Sequence, residues 1–537
     1  MKMIKFTGLS LFAALAFSAS ANAQSTGSFA AKKGELTENQ LKRWSHLDLA
    51  TDSIPGMSVD KAYAELLKDK KGAVVIVGIV DSGVDIEHED LKSVLWTNKK
   101  EIAGNGKDDD KNGYIDDVHG WNFLGDITKE NYEYERIANN KNLVDEATYL
   151  KAKAAYDQKF DDAKQGKIQM EQALVGTKTA DAVIQKELGK TVYTADEVGK
   201  IESTDKEVVK SKAIMMQMMS YGLPVADLLV EIQKQYDAAD KMSSGNHTYT
   251  DYRKVLGDDP ENLKATKYGN NNVIGPDKEG ALHGTHVAGI VAQSRNNGIG
   301  GDGIANNVQI LTVRAVPDGD EYDKDIALAI RYAVDNGAKV INGSFGKAFS
   351  PHKQWVYDAI KYAEKKDVLI VHAAGNDSKD IDVEDNFPND SDDKKTEFAS
   401  NMITVGALNY QYGADVMADF SNFGQINVDV FAPGVQIYAS TPNNEYQFLQ
   451  GTSMASPNVA GVAALIRSYY PKLSAKQVKQ ILMESGTAVT SNVAVGGDPA
   501  NQKPFNSLSV SGKMVNAYNA LVMAEKMASG KPTKIKG

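Results

Sequence analysis

The apolar positions of this chain fall into short runs bounded by turn residues. AVVIVGIV (73–80) ends just before Asp81, and VQILTVRAV (308–316), AKVINGSFG (338–346), DVLIVHAAGN (367–376) and NMITVGAL (401–408) share its character. Runs of this length, rich in β-branched residues and apolar at successive positions, predict strands buried on both faces, as in a parallel sheet. Between several of them the apolar spacing becomes helical, in DKDIALAIRYAVDNG (323–337) and HKQWVYDAIKYAEKKD (352–367). Strands alternating with such helices predict a three-layer, doubly wound, mostly parallel α/β fold. Ligands of such sheets bind beyond the carboxyl ends of the strands.

The pattern changes over 128–265, a stretch rich in Lys, Asp, Glu, Gln, Ala and Met with few β-branched runs. DEATYLKAKAAYDQKFDDAKQG (145–166) predicts a helix with Asp145 as N-cap and Gly166 as its stop. Residues 205–220 and 225–241 read as helices too. The block is a mostly helical insertion, and its clustered Met215, Met216, Met218 and Met219 read as packing. The organisation expected is a segment 24–70, polar and loosely ordered over 24–43; an α/β domain of 71–127 and 266–490 interrupted by the insertion 128–265; and a C-terminal helix with a short basic tail, 491–537.

Composition narrows the setting. Residues 1–23 have lysines at the start, an apolar stretch from Phe6 to Phe17 and a small-residue cleavage site at Ala21-Asn22-Ala23, the make-up of a secretory signal peptide. No other stretch reads as a membrane span. The expected location is periplasmic or extracellular. The chain has no cysteine, which excludes disulfides, thiolate nucleophiles and cysteine-ligated zinc. A formal net charge of −11 without a long Lys/Arg block argues against nucleic acid as a partner.

Four stretches carry candidate chemistry. Asp81 closes the first run: at a strand's carboxyl end it is either held at the ligand crevice or serves as a turn or helix-cap aspartate. LHGTHVAGIVA (282–292) sets His283 and His286 at the start of a small-residue helix. Paired histidines at i, i+3 suggest metal ligands, but HExxH and a third ligand are lacking, whereas a neutral imidazole there can act as a general base. Asn376, in VHAAGND (371–377), supplies an amide that is either a turn former or an oxyanion donor, the latter worth about 3–4 kcal/mol in a dry site. GTSMASP (451–457) puts Ser453 among small residues at a helix N-terminus. Unpaired N–H groups and the positive dipole end there favour negative charge developing beside it; a close-packed helix start is the plainer reading.

Taken together, DSGVD, HGTHVAG, AAGN and GTSMASP, in the order Asp81, His283, Asn376, Ser453, resemble the four signature motifs of the subtilisin-like serine proteases, the subtilases. GIANNVQILTVRAV, INGSFG, FSNFG (420–424) and VFAPG (430–434) extend the resemblance over about 71–127 and 266–490. It implies an exported endopeptidase acting on polypeptides. Ser453 would be the nucleophile, His283 the general base and acid, and Asp81 the group that orients His283. Asn376 and the Ser453 N–H would form the oxyanion hole, with His286 structural. Ser344-Phe345-Gly346 and Ala373-Ala374-Gly375 match the family's substrate-binding segments, whose backbones would pair with an extended peptide. The departures are the insertion, which greatly lengthens the gap between Asp81 and His283 and should emerge beside the active site, and the little room that 24–70 leaves for a folded inhibitory propeptide. The insertion is accordingly a candidate lid, folding aid or substrate-selecting arm, or else a solvated decoration.

NGKDDDKNGYIDDVHGWNF (105–123) matches the first half of an EF-hand-type loop. The expected calcium ligands are Asp108, Asp110, Asn112, the Tyr114 carbonyl, Asp116 and Asp117. Position 12 is His119, so the usual bidentate glutamate must come from elsewhere or be missing; an acidic solvent-facing turn is the alternative. Calcium would be structural, and the chemistry needs no cofactor. A non-catalytic binding or scaffold protein on a subtilase fold is the second reading, and a calcium-binding structural protein the third.

Overall fold

The computed structural model describes residues 29–220, 224–244 and 249–530; residues 1–23, expected to be a signal peptide, and the basic tail lie outside them. The apolar runs become the parallel strands β1 (Val75–Asp81), β3 (Val308–Arg314), β4 (Val340–Gly343), β5 (Leu369–Ala373), β6 (Met402–Leu408) and β7 (Val430–Pro433), with a short β2 (Gly120–Asn122). From the Lys513–Met514 side, the nine-stranded sheet runs β7-β6-β5-β4-β1-β3-β2. Thr487–Ala488 pairs outside Lys513–Met514 as the one antiparallel edge.

The strand period of two separates the two faces. Val75, Val77 and Ile79 of β1 join one core cluster, while Ile76 and Val80 join the other. The first cluster is covered by α5 (Leu282–Ala292) and α8 (Thr452–Tyr469), the second by α6 (Asp323–Asp335) and α7 (Lys353–Lys365). This is the three-layer α/β arrangement, and it brings the carboxyl ends of β1, β4 and β5 to one edge.

Both termini of the described chain build this unit. The segment expected to be loose holds a helical turn, Glu38–Arg43, closed by a Thr37–Gln40 capping box, and Trp44, Ile54 and Met57 are buried in the first core cluster. At the other end, α9 (Ala517–Ala528) packs into the same cluster.

Residues Tyr134–Thr250 form a separate compact unit; the described residues up to Glu133 and from Asp251 form the larger one. The smaller unit is helical, so the flanks 128–133 and 251–265 of the expected insertion fold with the larger. The chain enters it through α1 (Glu133–Asn139), whose first residue belongs to the larger unit, and its main element is the 43-residue α2 (Glu146–Leu188), capped by Asp145, whose Oδ1 accepts from Thr148 N at 2.7 Å. Gly166 does not stop this helix, which runs on to Gly189. The physical reason is the apolar stripe beyond it. Met170 and Leu174 pack on Leu228 and Ile232 of α4 (Val225–Ser243), and Ala180 and Ile184 pack on Val208 and Met215 of α3 (Lys206–Met219). That burial outweighs the roughly 1 kcal/mol that one glycine costs a helix.

Candidate active site

Strand β1 delivers Asp81 at its carboxyl end, and the first turn of α5 comes directly against it. Gly284 permits the approach: a Cβ there would lie 2.1 Å from Gly83 O and 3.1 Å from Asp81 Oδ1. His283, one residue earlier, then donates from Nδ1 to Asp81 Oδ1 at 2.7 Å. The same oxygen accepts from Ser82 N at 2.7 Å, while Oδ2 is buried without a hydrogen bond among the described residues. Burial works against charging His283, but the Asp81 charge and hydrogen bond outweigh it and raise the imidazole pKa. His286 is fully buried, its Nε2 shared between Ile437 O and Gln447 O at 3.1 Å each, and burial lowers its pKa to about 4. It is a neutral bracket between α5 and the hairpin of β8 (Ile437–Thr441) and β9 (Glu445–Leu449).

Ser453 stands in the first turn of α8. Pro457, four residues on, has no N–H to offer the Ser453 carbonyl, so that carbonyl is free to accept from Ser344 Oγ at 2.9 Å. In return Ser453 Oγ points to Ser344 O at 3.3 Å, and no hydrogen bond joins it to His283. Asn376 lies beyond β5. Its Oδ1 is clamped by Thr452 N (2.8 Å) and Thr452 Oγ1 (2.9 Å), which leaves Nδ2 without a partner among the described residues. A Cβ on Gly451 would sit 3.5 Å from both Asn376 Nδ2 and Ser453 N. Two donors thus flank the space that this glycine leaves empty.

Ser344-Phe345-Gly346 follows β4. Ser344 is held through Oγ, and Phe345 through its carbonyl, which accepts from His372 Nε2 at 2.8 Å. His372 is buried, which lowers its pKa to about 4. Gly346 is exposed, and its N–H and C=O have no partner among the described residues, so the segment presents an open edge. Ala373-Ala374-Gly375 differs. Ala374 N goes to Val405 O, Ala374 O accepts from Asn422 and Asn386, and Gly375 bonds through N to Thr452 Oγ1 and through O to Asn422 N. Its backbone is spent internally, so it is a packed wall opposite the open edge. Asn386 was not foreseen. Its Oδ1 would lie 3.5 Å from a Cβ on Gly346 and 3.7 Å from one on Gly375, so this carboxamide stands between the two segments. Nothing in the local sequence marks Asn386, because only the fold brings its loop there.

In the acidic loop, Glu101, Asp108 and Asp110 each offer an oxygen within 4.8 Å of the others. Glu101 lies outside the EF-hand-like spacing. Asp116 turns away, accepting from Asn105 N and Gly106 N, and Asp117 is buried against Tyr332, Asn98 and Asn112. Asn112 Oδ1 accepts from Tyr114 N, and the Tyr114 ring packs against Trp121 and Tyr332.

Residues 72–498 match the profile of the subtilase family. Similar proteins include a thermophilic serine proteinase of Bacillus sp. (strain AK1), 46% identical over 187 residues, which cover 35% of this chain and 42% of that protein. Subtilisin DY of Bacillus licheniformis is 38% identical over 213 residues, 39% of this chain and 72% of the relative. Among solved structures, a protease of Pseudoalteromonas arctica PAMC 21717 is 31% identical over 45% of this chain and 70% of that one, with a TM-score of 0.37. The matched region spans less than half of the first relative. No helix among the described residues is long and apolar enough to cross a membrane. With most of its length matched by the family profile, this chain belongs to the subtilase family.

Proposed function

We propose that the chain is an exported serine endopeptidase that cleaves polypeptides through Asp81, His283 and Ser453, with Asn376 completing the oxyanion site. The observation that carries the proposal is the pair of donors, Asn376 Nδ2 and Ser453 N–H, that have no partner among the described residues and converge beside a hydroxyl at a helix N-terminus. Such donors act on charge that develops only as the carbonyl becomes tetrahedral. Ser453 Oγ leaves the Ser344 carbonyl and attacks the scissile carbonyl carbon. Its proton passes to His283 Nε2, and Asp81 holds the resulting imidazolium through Nδ1–H. Collapse of the tetrahedral adduct expels the amine, which takes the proton back from His283. Water then repeats the sequence on the acyl-enzyme. The exposed Gly346 edge is suited to pair with the substrate main chain. Export is inferred from residues 1–23, and the protein named as a cell wall-associated protease in Bacillus subtilis, 36% identical over 230 residues, is in keeping with it.

Glu101, Asp108 and Asp110 fit a calcium ion: three half-buried carboxylates form a hard oxygen donor set. The nearby cation is the exposed Lys100, 3.8 Å from Asp110. The ion would neutralise these carboxylates and stiffen the loop without entering the chemistry.

The test is cleavage of an unfolded protein substrate by wild type, Ser453→Ala and His283→Ala. Turnover by wild type alone supports the proposal; equal turnover by all three would show that the hydrolysis arises elsewhere.

A further inference from the structure

The residue after the open edge is a buried lysine. Lys347 Nζ donates to Glu133 Oε2 at 2.7 Å and to Glu321 O at 2.8 Å, and lies 2.9 Å from Asp323 Oδ1. Its side chain is 2% exposed, those of Glu133 and Asp323 5% and 4%. The backbone of Lys347 is tied on its other side, N to Phe387 O at 3.0 Å and O to Phe387 N at 2.9 Å, next to Asn386. Gly346 is therefore free at its own polar atoms and fixed through its neighbours.

Each partner of the ammonium is itself held. Asp323, the first residue of α6, accepts from Ser350 Oγ at 2.7 Å and His352 N at 2.8 Å. Glu133 donates its N–H to Asp320 Oδ2 at 2.8 Å, and the preceding chain runs beside 318–320, with Asp318 N on Thr128 O and Glu130 N on Asp318 O. Glu133 is also the last residue of the larger unit before the chain crosses into the helical one. The return crossing is seated by the next residues of α6: Asp325 binds Arg253 twice at 2.6 Å, and Lys324 binds Asp258. Three consecutive charged residues of α6 thus clamp both crossings, and one of these clamps ends on the residue beside the open edge.

Burying an ammonium between carboxylates is a poor source of stability, since apolar side chains of equal volume serve as well or better. What it does supply is short, directional, charge-assisted hydrogen bonds. An edge that must receive a peptide in one register needs that kind of constraint, because misplacing it by even about 1 Å is costly to catalysis.

We propose that Lys347 is a positioning residue for substrate: its ammonium, clamped by Glu133 and Asp323, holds the Gly346 edge in the register that pairs with the peptide main chain. The inference rests on the protease reading above. It makes peptide affinity depend on the residue from which the chain departs into the helical unit.

The experiment compares wild type, Glu133→Gln and Lys347→Met on a peptide long enough to reach Gly346 and on a small ester that occupies only the site around Ser453. A fluorophosphonate titration counts active sites, and a thermal melt establishes folding. The expected result is a rise in KM for the long peptide of about tenfold, with kcat per active site within twofold and the ester KM unchanged. A merely structural ion pair would lower the melting temperature or the number of active sites and leave the KM of the folded enzyme alone. Unchanged peptide KM in a folded variant, or peptide and ester KM rising together, overturns the inference. If Lys347→Met does not fold, the nearly isosteric Glu133→Gln decides. If that variant also fails to fold, the pair is a fold determinant and the inference is wrong. Failure of wild type to react with the fluorophosphonate would instead sink the protease reading itself.

Discussion

Replacing Asn376 by alanine removes two functions of one carboxamide that the structure allows to be told apart. Nδ2 is the free donor facing the space beside Gly451, and Oδ1 is the acceptor that clamps Thr452 N and Oγ1. Loss of a donor that acts only on the developing oxyanion costs about 10²–10³ in kcat, or roughly 3–4 kcal/mol, with KM barely changed. Loss of the clamp costs far less. Asn376 is exposed, so water can replace its oxygen at the helix N-terminus, and the penalty is about 1 kcal/mol of stability. Thr452→Val isolates that second part: it removes the Oγ1 bonds to Asn376 and Gly375 and keeps Nδ2 in place. The assay is kcat and KM on a chromogenic peptide, per titrated active site, beside a thermal melt. Asn376→Ala should lose two to three orders of magnitude in kcat, and Thr452→Val less than one. A folded Asn376→Ala enzyme within fivefold of wild-type kcat would refute the assignment of Nδ2 to the oxyanion.

Three further outcomes follow from other contacts. Because Asp81 raises the His283 pKa above the ordinary 6.5, kcat/KM should rise with pH through a value above 6.5 as the imidazole loses its proton, and Asp81→Asn should move that limb downward; the same limb in both enzymes would contradict the contact. The sign for stability is opposite: charged His283 favours the fold fully below about 6.5, and this contribution fades as pH rises through the raised value. Chelation should lower the melting temperature of the mature protein by about 5 °C if calcium saturates Glu101, Asp108 and Asp110, and Glu101→Gln should abolish the difference; equal melting with and without chelator counts against the site. Gly284→Ala forces a Cβ into Gly83 O, so it should cost about 1–3 kcal/mol of stability and more than tenfold in kcat/KM, measured by melt and peptide assay; a silent substitution would mean that α5 and β1 are not in such close contact.

The central sheet was legible because its strands are buried on both faces. A run such as AVVIVGIV, short, β-branched and bounded by turn residues, suits such an environment as a strand, and Asp81 marks its end. The four candidate residues stand out in the sequence because each sits in a short segment of small residues, and Gly284 shows a steric purpose for one of them, since a Cβ there would lie 2.1 Å from Gly83 O. What was illegible depends on distance in sequence. Glu101 joins Asp108 and Asp110 from outside the loop's spacing, and Asn386 reaches the cleft from a loop with no local signature. Lys347 likewise has no local signature, because only the fold buries it against Glu133. Gly166 read as a stop because glycine's local preference says so, whereas Met170 and Leu174 find partners on a helix more than fifty residues later. The segment 24–43 read as loose from polarity alone, although Thr37 and Gln40 carry a capping signal.

The central claim is that Ser453 is an activated nucleophile. The direct measurement is the mass of the purified mature protein after exposure to a fluorophosphonate, with the adduct located by peptide mapping, beside Ser453→Ala and His283→Ala. The account predicts one adduct per chain, on Ser453, with none on Ser453→Ala and labelling slowed at least a hundredfold in His283→Ala. A well-folded wild-type protein that takes no label, or takes it equally in Ser453→Ala, would contradict it.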